Sequence, residues 1–519
     1  MRIERVEIRA YKNLVNFVID FSDSGINAIL IGENGSGKSN LIEAIVRIFR
    51  ALDLGEMPPF VYALRYFCRG MLIEIHADAG SSRPYSIVQF REGSETALEY
   101  EYFQSKKDYY LPAYIFAYYS GPSKRLESLF QSHREHWDTS LEEDEDGPRA
   151  LPRLFYCKPA HSRLALLTYF VQGISDGDFL REYFKVEGFD SATVVIGPPS
   201  TRHGRGDRFW GVRGRVNAFL TQAWDAALAP MSIGGGEERR MCLYFPGEAA
   251  IRQLQTEPDE SMLSQVVDTK RTSLQVFSLF DALMSYGMLR DVQIRVRCGR
   301  NSLPFAELSE GEQQFLTVVS LLRFTQEQES LFLLDEPDTH LNPKWKIDYL
   351  RQLKRAAGSD KTNQLILSTH DPLTIADLTK EEVHIFSRIR DGGWVEVERP
   401  LEDPRGLGVS GVLTEMFGLS TTLDSTTQRL LDERDTLAFR VDSSENPLDS
   451  NELSRLQELS RTLRHMGFVD ERRDPVEQRI LTMIRQWQRE NSRLLSKAPV
   501  NEQRAVTLNF VREVLGGKG

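Results

Sequence analysis

The sequence predicts an α/β fold, and three observations predict it. Short apolar runs at residues 26–31, 331–334 and 365–367 each lead straight into a polar loop that carries Gly, Asp or His. Buried strands that feed such loops at their C-terminal ends are what a parallel sheet covered on both faces produces. The first run opens into a glycine-rich turn and then a helical stretch, residues 40–50. Elsewhere apolar residues recur at helical spacing, with no internal repeat and no sustained heptad pattern.

The flanking sequence narrows the class. With 519 residues, 41% hydrophobic and 27% charged, the chain has a globular composition and room for two or three domains. Its start, Met1-Arg2-Ile3-Glu4-Arg5-Val6-Glu7-Ile8, alternates and reads as a strand rather than a basic-then-apolar leader. No apolar stretch approaches the ~20 residues of a membrane span. A cytoplasmic protein with no membrane partner is expected. Cys68, Cys157, Cys242 and Cys298 are scattered without a CxxC pair, as reduced structural thiols would be. The net charge of −11 argues against a basic surface all round and leaves room for a local basic groove.

Along the chain, residues 1–140 read as the first lobe of a head, with further strands at 71–76, 85–90 and 114–119. Residues 141–300 read as a mainly helical insertion. It opens on the acidic loop Glu142-Glu143-Asp144-Glu145-Asp146, and a Gly- and Arg-rich break covers 197–214. Residues 301–400 form the second lobe, and 401–519 a helical C-terminal region. There Leu453, Leu456, Leu459 and Leu463 share one face, and Val476, Ile480, Ile484, Trp487 and Leu494 another. Two such helices pack on each other as a hairpin cap, or they offer a face to a partner.

Four motifs carry chemistry. Gly32-Glu33-Asn34-Gly35-Ser36-Gly37-Lys38-Ser39 fits GxxxxGK[ST], between a strand and a helix as a phosphate loop requires. Gly32, Asn34, Gly35, Ser36 and Gly37 turn amides onto phosphates, and the helix start at Lys38, Ser39 and Asn40 adds its positive dipole end. Lys38 is placed to bridge β- and γ-phosphates, and the Ser39 hydroxyl to ligate Mg²⁺. The run Leu331-Phe332-Leu333-Leu334 ends in Asp335 and Glu336. Asp335 suits Mg²⁺. Glu336, turned elsewhere by strand alternation, suits a general base for an attacking water.

Leu308-Ser309-Glu310-Gly311-Glu312-Gln313 precedes a helical run. It reads either as a capped helix start or as a second phosphate surface built from Ser309, the Gly311 backbone and the helix tip. Lastly, Gln364-Leu365-Ile366-Leu367-Ser368-Thr369-His370 is a strand that ends in a histidine.

As a set, these motifs and the opening Tyr11-Lys12-Asn13-Leu14 resemble the ABC/SMC/RecF branch of P-loop ATPases. The resemblance implies an ABC-type ATPase head, a mixed sheet with a P-loop, carrying a largely helical insertion and a helical C-terminal extension. It implies ATP and Mg²⁺ as cofactors and His370 as the switch histidine on the γ-phosphate. It also implies Ser309 and Gly311 as parts of the opposite subunit's site, so that two copies form a homodimer or higher even oligomer. Pro337-Asp338-Thr339-His340-Leu341-Asn342-Pro343 is similar to the loop that crosses that dimer interface. One element departs: where the branch has a glutamine loop, this chain has Tyr118-Tyr119-Ser120-Gly121, with Gln131 further on.

Within the branch, the length, the missing coiled-coil arms and the helical tail resemble the Septu-type ATPases of anti-phage systems. That implies an HNH-type nuclease partner acting on DNA under ATP control. A RecF-like repair ATPase and an ATP-stabilised scaffold with little turnover are the alternatives. An intrinsic nuclease is not expected, because the tail offers no strand-borne acidic trio and Asp176-Gly177-Asp178 reads as a solvated turn. DNA contact is open. Arg202, Arg205, Arg208, Arg213 and Arg215, interleaved with Phe209 and Trp210, suit a phosphate backbone and a stacked base, or a solvated loop paired with carboxylates. Gln293, Arg295 and Arg297 alternate on one face of a strand and extend the same surface.

Overall fold

The computed structural model describes residues 1–468, apart from 92, 122, 143–148, 174–176, 201–207, 235–238, 257–269, 306–307, 359–362, 390–393 and 442–447. The expected helix over 476–494, most of the acidic loop, Asp176, Arg202 and Arg205 lie outside these residues. The chain forms two compact units: Met1–Glu7, Asp20–Ala28 and Leu41–Thr374 make the first, and Ile8–Ile19, Ile29–Asn40 and Ile375–Gly519 the second.

Three sheets organise the molecule. In the first unit an antiparallel meander runs through β4 (Tyr62–Cys68), β5 (Met71–Ala77), β6 (Tyr85–Arg91) and β7 (Ser94–Leu98), beside the start of β1 (Arg2–Tyr11). Alternation drives it: Leu64, Tyr66, Ile73, Ile75 and Ile87 are buried, while their sequence neighbours lie on the other face. β4 and β5 join through Arg69 and Gly70, both at positive φ, the twist that two-residue hairpin turns favour.

The second sheet of this unit is the expected parallel one. β15 (Ser330–Asp335) lies between β16 (Asn363–Ser368) and β8 (Tyr114–Tyr119), and β9 (Leu154–Tyr156) adds to β8, all parallel. Every residue of β15 and β16 is buried, which explains the apolar runs at 331–334 and 365–367. The Leu365 N–H bonds to the Ile26 carbonyl at 2.8 Å, just ahead of β3 (Asn27–Gly32). Helix Pro343–Ala357, capped by Asn342 with Pro343 at its first turn, is the crossover from β15 to β16.

The insertion is largely helical, as expected, but not wholly so. Among helices such as His161–Gln172, Gly214–Ala226 and Ser273–Ser285 it carries an antiparallel sheet. Its order is β11 (Met231–Ile233), β12 (Arg240–Phe245), β10 (Gly188–Ile196), β13 (Leu289–Cys298) and β14 (Asn301–Pro304). β10 is hard to read because Gly188, Asp190 and Ser191 are poor strand formers, and only its register with β12 and β13 holds it extended. β13 alternates as expected: Val292, Ile294 and Val296 are buried while Gln293, Arg295 and Arg297 face outward.

In the second unit the end of β3 pairs in parallel with β17 (Val383–Arg388), and β18 (Val395–Glu398) pairs antiparallel on the other side of β17. The end of β1 and β2 (Leu14–Asp20) belong largely to this unit, with Phe17 and Phe386 rings 5.9 Å apart. Helix Ser450–His465 buries Leu459 and Leu463 but leaves Leu453 44% exposed, so its apolar face is narrower than the leucine spacing implies. It packs on helix Ser425–Arg440, tied by Arg440–Glu452 and Arg455–Glu433 pairs. The polar sequence of that partner helix concealed it. Among the described residues no helix is long and apolar enough to cross a membrane, and the four cysteines are unpaired thiols.

Candidate functional site

The phosphate loop lies in the second unit, where β3 ends fully buried at Gly32. Gly32 has φ +135°, and a Cβ there would sit 2.2 Å from the Phe386 carbonyl oxygen, so no other residue fits. Lys38 opens the helix Lys38–Leu54 and folds back over the loop. Lys38 is 5% exposed, and its ammonium donates to the carbonyls of Gly32 at 2.9 Å and Glu33 at 3.0 Å, and reaches the Ser36 hydroxyl at 3.4 Å. Carbonyl dipoles thus hold a buried positive charge inside the turn, where phosphate oxygens can replace them. Asn13, in the turn after β1, braces the loop: it donates to the Gly35 carbonyl at 3.1 Å and accepts from the Asn40 amide at 2.7 Å. The sequence reading noted Asn13 only as part of an opening strand.

The acidic edge lies in the first unit. β15 ends at Asp335, and Glu336 then takes φ +52°. The divergence of the two carboxylates therefore comes from a left-handed turn, not from strand alternation, because the strand stops one residue earlier. Such a backbone costs a non-glycine residue about 1 kcal/mol or more and must be held by its surroundings.

The holding segment is Ser368-Thr369-His370. Each of its residues grips one acidic group. The Ser368 hydroxyl donates to Asp335 Oδ1, and the Glu336 N–H donates to the Ser368 carbonyl at 3.0 Å and hydroxyl at 3.2 Å. The Thr369 hydroxyl donates to Asp338 Oδ2 at 2.6 Å, joined by Thr374. His370 Nε2 stands 3.2 Å from Glu336 Oε1. Burial pushes the Asp338 carboxyl above its ordinary range, and the Thr369 and Thr374 hydroxyls offset only part of that. Asp338 is 2% exposed, so the loop after Glu336 is anchored inward. Sequence reasoning missed Ser368 and Thr369, although the register that sets Ser368 opposite Asp335 follows from pairing the two buried strands.

The segment over 308–313 leads into helix Glu310–Phe324 in the same unit. Ser309 is its N-cap and forms a complete capping box with Glu312. The capped start is thus present, and it fixes where the helix tip points. A Cβ on Gly311 would meet the His340 carbonyl oxygen at 2.5 Å, so glycine lets this tip press against the loop after Glu336. Glu310 stays exposed, with its carboxylate 3.9 Å from His340.

In sum, Asp335, Glu336 and His370 meet in the first unit, with Ser309 and Gly311 beside the same loop. Gly32 to Asn40 assemble in the second. Ser39 and Asp335 offer a hydroxyl and a carboxylate, hard oxygen donors of the kind Mg²⁺ takes along with water and phosphate.

The arginine segment is only partly as expected. Phe209 is 2% exposed, so it cannot stack a base, and the Arg208 guanidinium lies over Trp224 at 4.3 Å. Trp210 is half-buried beneath Arg239, and Arg213 is exposed. On β13, Arg295 bonds to Ser302 and Arg297 pairs with Glu248 at 3.1 Å.

Two family descriptions match the chain. Residues 1–140 match an AAA ATPase domain, and residues 246–376 match the AAA domain described as putative AbiEii toxin, Type IV TA system. Together with the phosphate-loop motif, these matches support a P-loop ATPase.

Among individual relatives, the Septu protein PtuA of Bacillus mycoides (strain KBAB4) is 26% identical over 177 residues, 32% of this chain and 24% of that one. The Retron Vc95 probable ATPase of Vibrio cholerae serotype O1 biovar El Tor is 29% identical over 120 residues, 21% of this chain and 22% of that one. The matched region therefore spans about a quarter of each relative's length.

Solved structures include an SMC head bound to the C-winged helix domain of ScpA, 14% identical, TM-score 0.34, over 77% of this chain and 98% of that one. The ATP complex of RecF is 16% identical, TM-score 0.28, over 76% and 98%.

Proposed function

We propose that this chain binds ATP with Mg²⁺ and hydrolyses it, as the ATPase subunit of an anti-phage defence complex. The observation that carries the reading is the acidic edge. Asp335 and Glu336 are adjacent in sequence, Glu336 takes a left-handed turn, Asp335 accepts from Ser368, and His370 stands against Glu336. One carboxylate is then available for a cation and the other for a water, which is the division of labour phosphoryl transfer needs.

The P-loop, Gly32 to Asn40, wraps the triphosphate, with Lys38 leaving its carbonyls for β- and γ-oxygens. Ser39 and Asp335 hold Mg²⁺, which when bound neutralises charge between the phosphates. Glu336 accepts the proton of the attacking water, and His370 orients that carboxylate toward the γ-phosphate. Ser309 and the Gly311 helix tip close the site of a second copy, so ATP clamps a homodimer and hydrolysis releases it. Excluding water at that joint strengthens the fixed dipoles.

In this reading, which extends the resemblance to Septu-type ATPases, the partner is a nuclease of HNH type that cuts invading DNA under ATP control. Exposed Arg213 and half-buried Trp210 remain for direct DNA contact. Glu336→Gln is expected to retain ATP and trap the dimer in light scattering, while phosphate release falls by about a hundredfold or more. Recovering only monomer from that variant under saturating ATP–Mg²⁺ sinks the clamp. Wild-type phosphate release no faster than Glu336→Gln would leave a scaffold that binds ATP without using it. Co-purification followed by DNA cleavage with and without ATP tests the nuclease partner.

A further inference from the structure

We propose that Ser368 is the positioning residue of the acidic edge, one hydroxyl that sets both the cation-side carboxylate and the turn of the general base. The proposal deepens the ATP–Mg²⁺ reading above and rests on it. Ser368 and Asp335 are register partners in adjacent parallel strands, so their side chains leave the same face of the sheet. A carboxylate accepts only, so the Ser368 hydroxyl is the donor in its bond to Asp335 Oδ1. That commits its hydrogen and leaves its oxygen as an acceptor, which the Glu336 N–H uses at 3.2 Å. The same N–H reaches the Ser368 carbonyl at 3.0 Å. Glu336 sits at φ +52°, and its amide has both of these acceptors on one residue.

Three consequences follow from the chemistry. Ser368 is fully buried, so no water can take the place of its hydroxyl without the strands moving. Asp335 is 3% exposed, and a buried carboxylate loses both orientation and stabilisation when a donor is deleted. Because one hydroxyl touches both groups, rotating it for one disturbs the other. Cation affinity and base placement are thus coupled at a residue that touches neither cation nor water.

The test uses full-length protein in a Glu336→Gln background, where ATP stays intact, and reads Mn²⁺ affinity by electron paramagnetic resonance with ATP bound. Ser368→Ala is expected to weaken Mn²⁺ about tenfold or more, as loss of an outer-sphere partner does, with metal-free ATP affinity unchanged. Ser368→Cys, close in size but a poor donor, is expected to weaken it in the same direction, which covers the case in which the alanine variant does not fold. Ser368→Thr keeps the hydroxyl and is expected to stay within about threefold of the parent. Parent-like Mn²⁺ affinity in the alanine or cysteine variant, or a threonine variant as weak as alanine, overturns the proposal. Absence of ATP-dependent Mn²⁺ binding in the Glu336→Gln parent itself is a different result: it removes the ATP–Mg²⁺ reading and this proposal with it.

Discussion

Two kinds of buried carboxylate stand in the first unit, and they are held in opposite ways. Asp53, near the end of helix Lys38–Leu54, is met by Arg153 at 2.9 Å, His133 at 2.9 Å and Lys107 at 3.4 Å. Asp281, in the insertion, is met by Arg134 and by His161 at 3.2 Å. At the acidic edge, Asp335 takes a serine hydroxyl and Asp338 takes two threonine hydroxyls. The contrast shows in the titrations. Burial works upward on Asp53, Asp281 and Asp338, but around Asp53 the partners outweigh it and hold the carboxyl far below its usual range. Around Asp338 the hydroxyls do not, and the carboxyl stays raised. Cationic partners neutralise a carboxylate and lock a fold, whereas hydroxyl partners aim it and leave its charge in place.

The largest break in this comparison is Arg153→Met. Arg153 is fully buried beside Asp53, so its loss removes a buried guanidinium and leaves that carboxylate to His133 and Lys107, which should cost about 3 kcal/mol in urea unfolding. Pairing it with Asp53→Asn should recover part of that, and full additivity of the two losses would show that the cluster is not a unit.

Next is Asp281→Asn, which removes the buried counter-charge of Arg134 and leaves it only Asp138, and should cost about 2–3 kcal/mol. The same residue predicts an acid limb. Burial raises its carboxyl, Arg134 and His161 outweigh that, and it sits at about 2 against an ordinary 3.8. A depressed folded value stabilises the protein above the unfolded value. The contribution, about 2 kcal/mol, should therefore be intact above pH ~4 and vanish as pH falls toward ~2. A pH series in which Asp281→Asn keeps the wild-type limb would assign that limb elsewhere.

The smallest effect sharpens the contrast. Asp338→Asn keeps an acceptor for Thr369 and Thr374 and removes a charge that burial opposes, so stability should change by less than about 1 kcal/mol. A loss as large as that of Asp281→Asn would mean that Asp338, too, is held as an ion.

Much of the site was legible in the chain because its chemistry is local. The glycine turn, the acid pair and the histidine each follow a short apolar strand, and buried parallel strands declare themselves by composition. The structure put Gly32 where only glycine fits, Asp335 at the end of its expected strand and His370 two residues past the end of its own. Ser368 was not legible, because a serine before a histidine says nothing until strand register places it against Asp335. The antiparallel sheet of the insertion was obscured for the same reason: β10 is weak by composition and extended only through its two neighbours.

The sequence by itself determined which groups are present and in what order along the chain: a phosphate loop, a capped helix tip, two acids and a histidine. Tertiary structure alone decided how they are held, from the left-handed turn at Glu336 to the hydroxyls behind it and the arginines spent on neutralising Asp53 and Asp281. The physical reason is range. Backbone turns and strand burial are written in a few adjacent residues, while a hydrogen bond between Asp335 and Ser368 spans 33 residues and exists only once two strands have found their register.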